Sequence, residues 1–306
     1  DDRSNLTFDV YFSTSSSPTT KVADDISALN YSPSNLAINT KYYWKVVATD
    51  PSGSVTSSVM NFTYMGPMWS YETDNDVWSV AISADGEYIA AGSADNNVYL
   101  FDKDSSTPLW SYDTGEDVNS VAISADGEYI VAACYDGKAY LFDRDSNTPL
   151  WNYTTEEEVW AVAISADGEY VVVGSDKIYF FGKDNSTPLW SYDTGDYVAS
   201  VSISANGEYI AAGSNDDKVY LFDKESGTPV WSRSTYGNVL AVAISADGEY
   251  IVAGSSNNRV NLFDRDNSTP LWTYATNDDV RGVAISADGE YIAASSWGDE
   301  VYLFNK

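Results

Sequence analysis

The chain has 306 residues, with 46 acidic against 16 basic side chains, no histidine and a formal net charge of −30. A carboxylate surplus of that size repels nucleic acid and anionic lipid at ordinary salt, and no nucleic-acid partner is expected. The lack of histidine removes the usual general base, proton shuttle and imidazole metal ligand, and with them a Ser-His-Asp triad.

Cationic, neutral and sugar-like partners remain open, and the charge also suits a halophilic or mineral-rich setting. Aromatic residues make up 14% of the chain, and Val, Ile and Tyr recur in short runs bounded by Gly, Asn, Asp and Ser, which is strand-and-turn chemistry. The single cysteine, Cys134, sits in the apolar run YIVAAC, where it reads as a small core filler. No apolar run approaches the roughly 20 residues of a membrane helix. The chain opens at Asp1 without Met or a basic-then-apolar leader, so the expectation is a processed form whose targeting segment is gone.

Composition changes character near Tyr64 to Met68, and two all-β domains are expected, residues 1–65 and 66–306. In the first, residues 6–13 (LTFDVYFS) and 42–48 (YYWKVVA) alternate apolar and polar, and 59–64 end in a further apolar-rich strand. These read as sandwich strands. The spacing of Leu36, Thr40, Tyr42, Trp44, Val46 and Ala48, followed by Asp50-Pro-Ser-Gly, resembles the strand F region of fibronectin type III domains. The resemblance implies an immunoglobulin-like β-sandwich with Tyr42 as its tyrosine corner. Only five residues precede the strand that would be C, so the sandwich lacks its first two strands. Either the chain was cut from a longer protein, or strands from another subunit fill the edge by complementation, which would make a homopolymer.

From Trp69 onward the chain repeats one unit six times, with leading tryptophans at 69, 110, 151, 190, 231 and 272. The period is 41 residues except for one of 39, which loses two residues in a loop at SDKIYF. Each repeat holds four short strands, for example 109–112, 118–124, 128–134 and 139–143. The turn between the second and third is Ala-Asp-Gly-Glu, or Ala-Asn-Gly-Glu at Asn206, and Asp-Gly or Asn-Gly supplies the positive φ of a tight hairpin. A four-stranded sheet cannot bury both faces alone, and radial stacking solves that problem. The expectation is therefore a six-bladed β-propeller closed by its termini, the strand at 68–71 completing the last blade. An open array or a part of a larger ring is the alternative.

The stretch A-D-G-E-Y-I-A-A-G-S and the strand V-Y-L-F-D resemble WD-repeat and prokaryotic surface-propeller families, and T-P-L-W-S-Y-D-T-G resembles the quinoprotein alcohol-dehydrogenase-like repeat. These resemblances cover residues 67–306 and imply the fold. Function does not carry over, because the Gly-His and Trp-Asp pairs of WD-repeats and a quinone-site residue set are absent from the sequence.

Within so regular a repeat, the variable positions mark where the template has been relaxed. The residue just after the start of the inner strand reads Trp78, Asn119, Trp160, Ala199, Leu240 and Arg281. Loops of the same face add Asp74, Asp76, Glu116, Asp117, Glu156, Glu157, Glu158, Asp278 and Asp279, with Tyr197, Tyr236, Tyr135 and Trp297. The predicted partner-binding face comprises Trp78, Asn119, Trp160, Tyr197, Tyr236, Arg281 and Trp297. Aromatics amid carboxylates suit either sugar rings or a cationic peptide; the bland reading is that Trp78 and Trp160 plug the channel while the acids are solvated.

The opposite face carries the hairpins DKDSST, DRDSNT, GKDNST, DKESGT and DRDNST. No cofactor is expected. Calcium is the one candidate, weak because each loop offers two or three of the six to eight oxygens a good site needs; capping of the turn by Asp and Ser is the simpler account. Sequons at Asn5, Asn30, Asn61, Asn152, Asn185 and Asn267 are glycosylation candidates.

The functional expectation is a non-catalytic, extracellular or cell-surface protein of a prokaryote, archaeal by preference. It would be a surface-layer or filament subunit whose sandwich links it to other protein subunits. A carbohydrate-active enzyme with two rim carboxylates and an intracellular WD-repeat-like scaffold are the alternatives.

Overall fold

A computed structural model describes residues 6–28 and 30–306. The chain divides into two compact units, Asp1–Ser70 and Tyr71–Lys306, and among the described residues every long regular element is a strand.

The N-terminal unit contains strands β1 (Thr7–Ser13), β2 (Lys21–Ile26), β3 (Thr40–Asp50), β4 (Gly53–Thr56) and β5 (Met60–Tyr64). They form one antiparallel sheet in the order β2-β1-β3-β4, with β5 also on β3. The eleven-residue β3 is long enough to pair its first half with β5 and its second half with β4. Strict alternation predicts β1, β3 and β5. It misses β2 and β4, because KVADDI is charged and edge-exposed and GSVT is a short return after a turn that Asp50 caps through the Ser52 and Gly53 amides. Phe8, Val10 and Phe12 of β1 lie with Trp44 and Val46 of β3 and Phe62 of β5 around a cavity of about 590 Å³. The described residues place no second sheet over that apolar face. Tyr42 is buried against Phe12, ring centroids 4.9 Å apart, and its hydroxyl accepts the Ala37 amide at 2.8 Å.

The C-terminal unit is built from six consecutive sheets. The innermost strands are β6 (Val77–Ile82), β10 (Val118–Ile123), β14 (Ala161–Ile164), β18 (Val198–Ile203), β22 (Val239–Ile244) and β26 (Val280–Ile285). The second set is β7 (Tyr88–Ser93), β11 (Tyr129–Cys134), β15 (Tyr170–Gly174), β19 (Tyr209–Ser214), β23 (Tyr250–Ser255) and β27 (Tyr291–Ser296). The third is β8 (Asn97–Asp102), β12 (Lys138–Asp143), β16 (Lys177–Gly182), β20 (Lys218–Asp223), β24 (Arg259–Asp264) and β28 (Glu300–Asn305). The outermost are β9 (Trp110–Asp113), β13 (Trp151–Thr154), β17 (Trp190–Asp193), β21 (Trp231–Ser234) and β25 (Asn267–Ala275). Each sheet is an antiparallel meander, and β9 to β12 lie within one residue of the limits read for 109–112, 118–124, 128–134 and 139–143, whereas β25 starts about four residues early.

Neighbouring sheets pack face to face through apolar layers. Between the first and second, Ala90, Val98 and Leu100 meet Val118, Val121, Ile130 and Phe142, and each fully buried Val, Leu or Phe contributes roughly 1.5–3 kcal/mol. Polar stitches repeat with the same register. Ala84 N donates to Ala125 O, Ala125 to Ala166, Ala166 to Ala205, Ala205 to Ala246 and Ala246 to Ala287, at 2.9–3.1 Å. The indole N–H groups of Trp110, Trp151, Trp190 and Trp231 each donate to a carbonyl of the following sheet. The hairpin before each second strand is held by its serine: Ser124 Oγ donates to Asp126 and accepts the Tyr129 amide.

The expected closure by the terminal strand is corrected here. Residues 68–71 form no strand, and the sixth sheet is β26-β27-β28, with nothing paired to the outer side of β28. The inner strands pack in the order β6, β10, β14, β18, β22, β26, whereas β26 and β6 lack the close packing that joins successive inner strands. Both ends therefore stay open: Val80 is 68% exposed, and Val301 and Leu303 are 83% and 74% exposed, at positions that are buried between interior sheets. Within the N-terminal unit, Gly66 lies so close to Ile38 that a Cβ there would meet it at 2.7 Å. Tyr71 nevertheless keeps the packing of a fourth-strand residue, edge-on to Phe101 at 5.3 Å, as Tyr112 is to Phe142 at 5.2 Å.

Candidate ligand-binding face

The predicted face residues start the inner strands or occupy the turns beside them, so strand register alone brings them to one end of the six sheets. Trp78 lies edge-on to Tyr135 at 6.0 Å, Tyr135 to Trp160 at 5.4 Å, and Trp160 to Tyr197 at 6.4 Å. This is an unbroken aromatic arc across four successive sheets. Opposite it, the Arg281 guanidinium lies 3.6 Å from the Trp297 ring centroid and pairs with Asp279 at 3.2 Å.

Two predicted residues stand apart. Asn119 is committed within the scaffold, its amide donating to Val159 O at 2.8 Å. Tyr236 sits at φ +65° on an exposed turn, and no aromatic neighbour of it is found among the described residues.

A cavity of about 290 Å³ opens where Trp160, Tyr197, Ala199, Asn215, Leu240 and Arg281 converge. The short repeat lacks two residues in its β15–β16 turn, where the second repeat carries Tyr135. Asn215 is the residue that sequence reasoning missed; it occupies the position aligned with Tyr135, and listing that turn position across the repeats would have found it.

The electrostatics of the face are negative. Glu157 pushes the Tyr197 phenol above its ordinary pKa, helped by partial burial, Glu158, Asp196 and Asp176. Burial does the same to Tyr135, with Glu158 and Asp117 adding to it. Other rim acids are tied locally: Glu156 lies 3.6 Å from Lys177 and Asp278 caps its own turn at the Asp279 amide. Cys134 lies beneath this face, fully buried, its thiol pushed up to about 12 by desolvation.

On the opposite face Asp102, Asp143, Asp223 and Asp264 accept the amide two residues on, and Ser105, Ser146 and Ser226 do likewise. The capping account of these hairpins holds. Among the described residues, the one group of three carboxylates close enough to share an ion is Asp9, Asp24 and Asp25 in the N-terminal unit, where Lys21 already bridges Asp9 and Asp24 at 2.7 Å each. Of the sequons, Asn5 lies outside the described residues. Asn30, Asn61, Asn152, Asn185 and Asn267 are all exposed; Asn61 and Asn152 sit in paired strands, Asn185 in a hairpin and Asn267 at the start of β25.

No helix among the described residues is long and apolar enough to cross a membrane. The family model described as outer membrane protein assembly factor BamB matches residues 178–306. The model of the WD domain, G-beta repeat, matches residues 66–102, 106–143 and 147–179. No curated protein matches the chain. Two repeat models that between them run from residue 66 to the last, laid on five four-stranded antiparallel sheets and a three-stranded sixth, support a β-propeller for the C-terminal unit.

Proposed function

We propose that this protein is a non-catalytic binding and assembly protein of the cell exterior, with the aromatic arc of the propeller as its ligand surface. The observation that carries this reading is the arc itself. Trp78, Tyr135, Trp160 and Tyr197 stand at positions where the repeat is free to vary, and they meet one another. Exposed rings that a fold does not require are a recognition feature.

A non-catalytic role is supported by the composition, which holds no histidine to serve as general base or nucleophile activator.

The N-terminal unit is read as a fibronectin type III-like domain that has one of its two sheets. Tyr42 supports this: its hydroxyl reaches back to the Ala37 amide as a tyrosine corner does. Strands from another protein subunit would complete the open face by complementation, giving a surface-layer or filament subunit. An exterior location is supported by the exposed sequons at Asn185 and Asn267.

Isothermal titration of the whole chain against peptide and oligosaccharide panels tests the ligand surface. A ligand whose affinity falls about tenfold in Trp160→Ala, with the melting temperature unchanged, is the expected outcome. Ligands bound equally by Trp160→Ala, or turnover of a polysaccharide, would sink the reading.

A further inference from the structure

We infer that the cavity beside Trp160 seats a cationic side chain, the ammonium or guanidinium of a basic peptide, between the Trp160 and Tyr197 rings and the side-chain oxygen of Asn215. The inference rests on the ligand surface proposed above and names the ligand class for it.

Size comes first. At about 290 Å³ the cavity is at the lower limit of small-ligand pockets, roughly 300 Å³, so it fits one side chain rather than a row of sugar rings. Ring geometry agrees. Trp160 and Tyr197 meet edge-on with their planes 70° apart, which offers a compact cation a ring face and gives a sugar ring no flat shared platform.

The third observation is an acceptor without a donor. Asn215 Oδ1 is buried and makes no hydrogen bond, and a buried oxygen left unmatched is costly. An incoming N–H satisfies it.

Charge points the same way. Glu157, Glu158, Asp196 and Asp176 surround Tyr197, and Arg281, the cation in the wall, is neutralised by Asp279 and laid on Trp297. That pair shows the same chemistry at the same face: a cation held on an aromatic ring beside a carboxylate.

The test is titration of the whole protein with ten-residue poly-lysine and poly-arginine peptides, a neutral Gly-Ser peptide and neutral β-linked oligosaccharides, followed by tryptophan fluorescence. The basic peptides are expected to bind and the neutral ones not. Trp160→Ala and the cavity-filling Ala199→Trp should each weaken basic-peptide binding by about tenfold, within the range of desolvated cation–π contacts. Neither variant changes the net charge, so equal binding by wild type and both variants would mean attraction to the acidic surface at large and would overturn the inference. Binding of a neutral oligosaccharide that Trp160→Ala abolishes would overturn the cationic class and leave the ligand surface standing. Silence of every probe would sink both.

Discussion

At the scale of single residues, the same position of the repeat faces different surroundings according to whether a neighbouring sheet covers it. Gly127 has φ +71°, and a Cβ there would meet the Tyr88 ring of the preceding sheet at 2.6 Å. Gly86 has φ +74°, yet a Cβ there would meet nothing within 4 Å. Both substitutions strain the backbone, because positive φ disfavours a side chain. Only Gly127→Ala also pushes on a neighbour. Urea unfolding should therefore show Gly127→Ala losing distinctly more stability than Gly86→Ala. Equal losses would mean that a ring covers Gly86 as Tyr88 covers Gly127.

At the scale of the element, the Ser-Ala-Asp-Gly-Glu-Tyr hairpin sets an acid limit. In Asp85, Asp247 and Asp288 the carboxyl is held below its ordinary pKa, first by the hydroxyl of Ser83, Ser245 or Ser286 and then by the amide two residues on. A pKa lowered by folding contributes stability that is complete above the unfolded value, about 3.9, and is lost as pH falls through the lowered folded value. These turns should leave the melting temperature flat between about pH 7 and 5 and make it fall below about pH 4. Asn206 is a natural control, since it accepts the same two hydrogen bonds without a titrating group. The triple variant Asp85→Asn, Asp247→Asn, Asp288→Asn should show a shallower acid limb, measured by melting at stepped pH. An unchanged limb would remove these turns from the account.

At the scale of the whole molecule the question is what covers the two ends. Val121 is 6% exposed inside the interface of the first and second sheets, and Val80, its counterpart one repeat earlier, is 68% exposed. Val121→Ala should cost about 2 kcal/mol, from lost transfer energy plus a cavity. Val80→Ala should cost under about 0.5 kcal/mol, as exposed substitutions do. Matching losses in chemical denaturation would show that β6 is covered in solution and the ring is sealed. Heterologous apolar ends of this kind are also where head-to-tail association begins, and the charge of −30 opposes it at low salt.

The repeat made most of the fold legible in the sequence. Six copies of one pattern of alternation, each with Asp-Gly or Asn-Gly at the hairpin, specify strands and turns locally, and strand register then fixes which side chains share a face. That is why Trp78, Trp160, Tyr197 and Tyr135 could be assigned to one face from their repeat positions. The short strands β2 and β4 were not legible, because charged edge residues carry no period, and neither was the role of Asn119, which depends on a carbonyl in the next sheet.

Closure belonged to the tertiary structure alone. Complementary ends are written in the sequence, but whether they meet depends on a small rotation at each interface, summed over five interfaces, and no residue encodes that sum. The cavity followed the same rule: the sequence records Trp160, Tyr197 and Asn215 at separate repeat positions, and only packing gathers them around one space with the Asn215 oxygen unmatched.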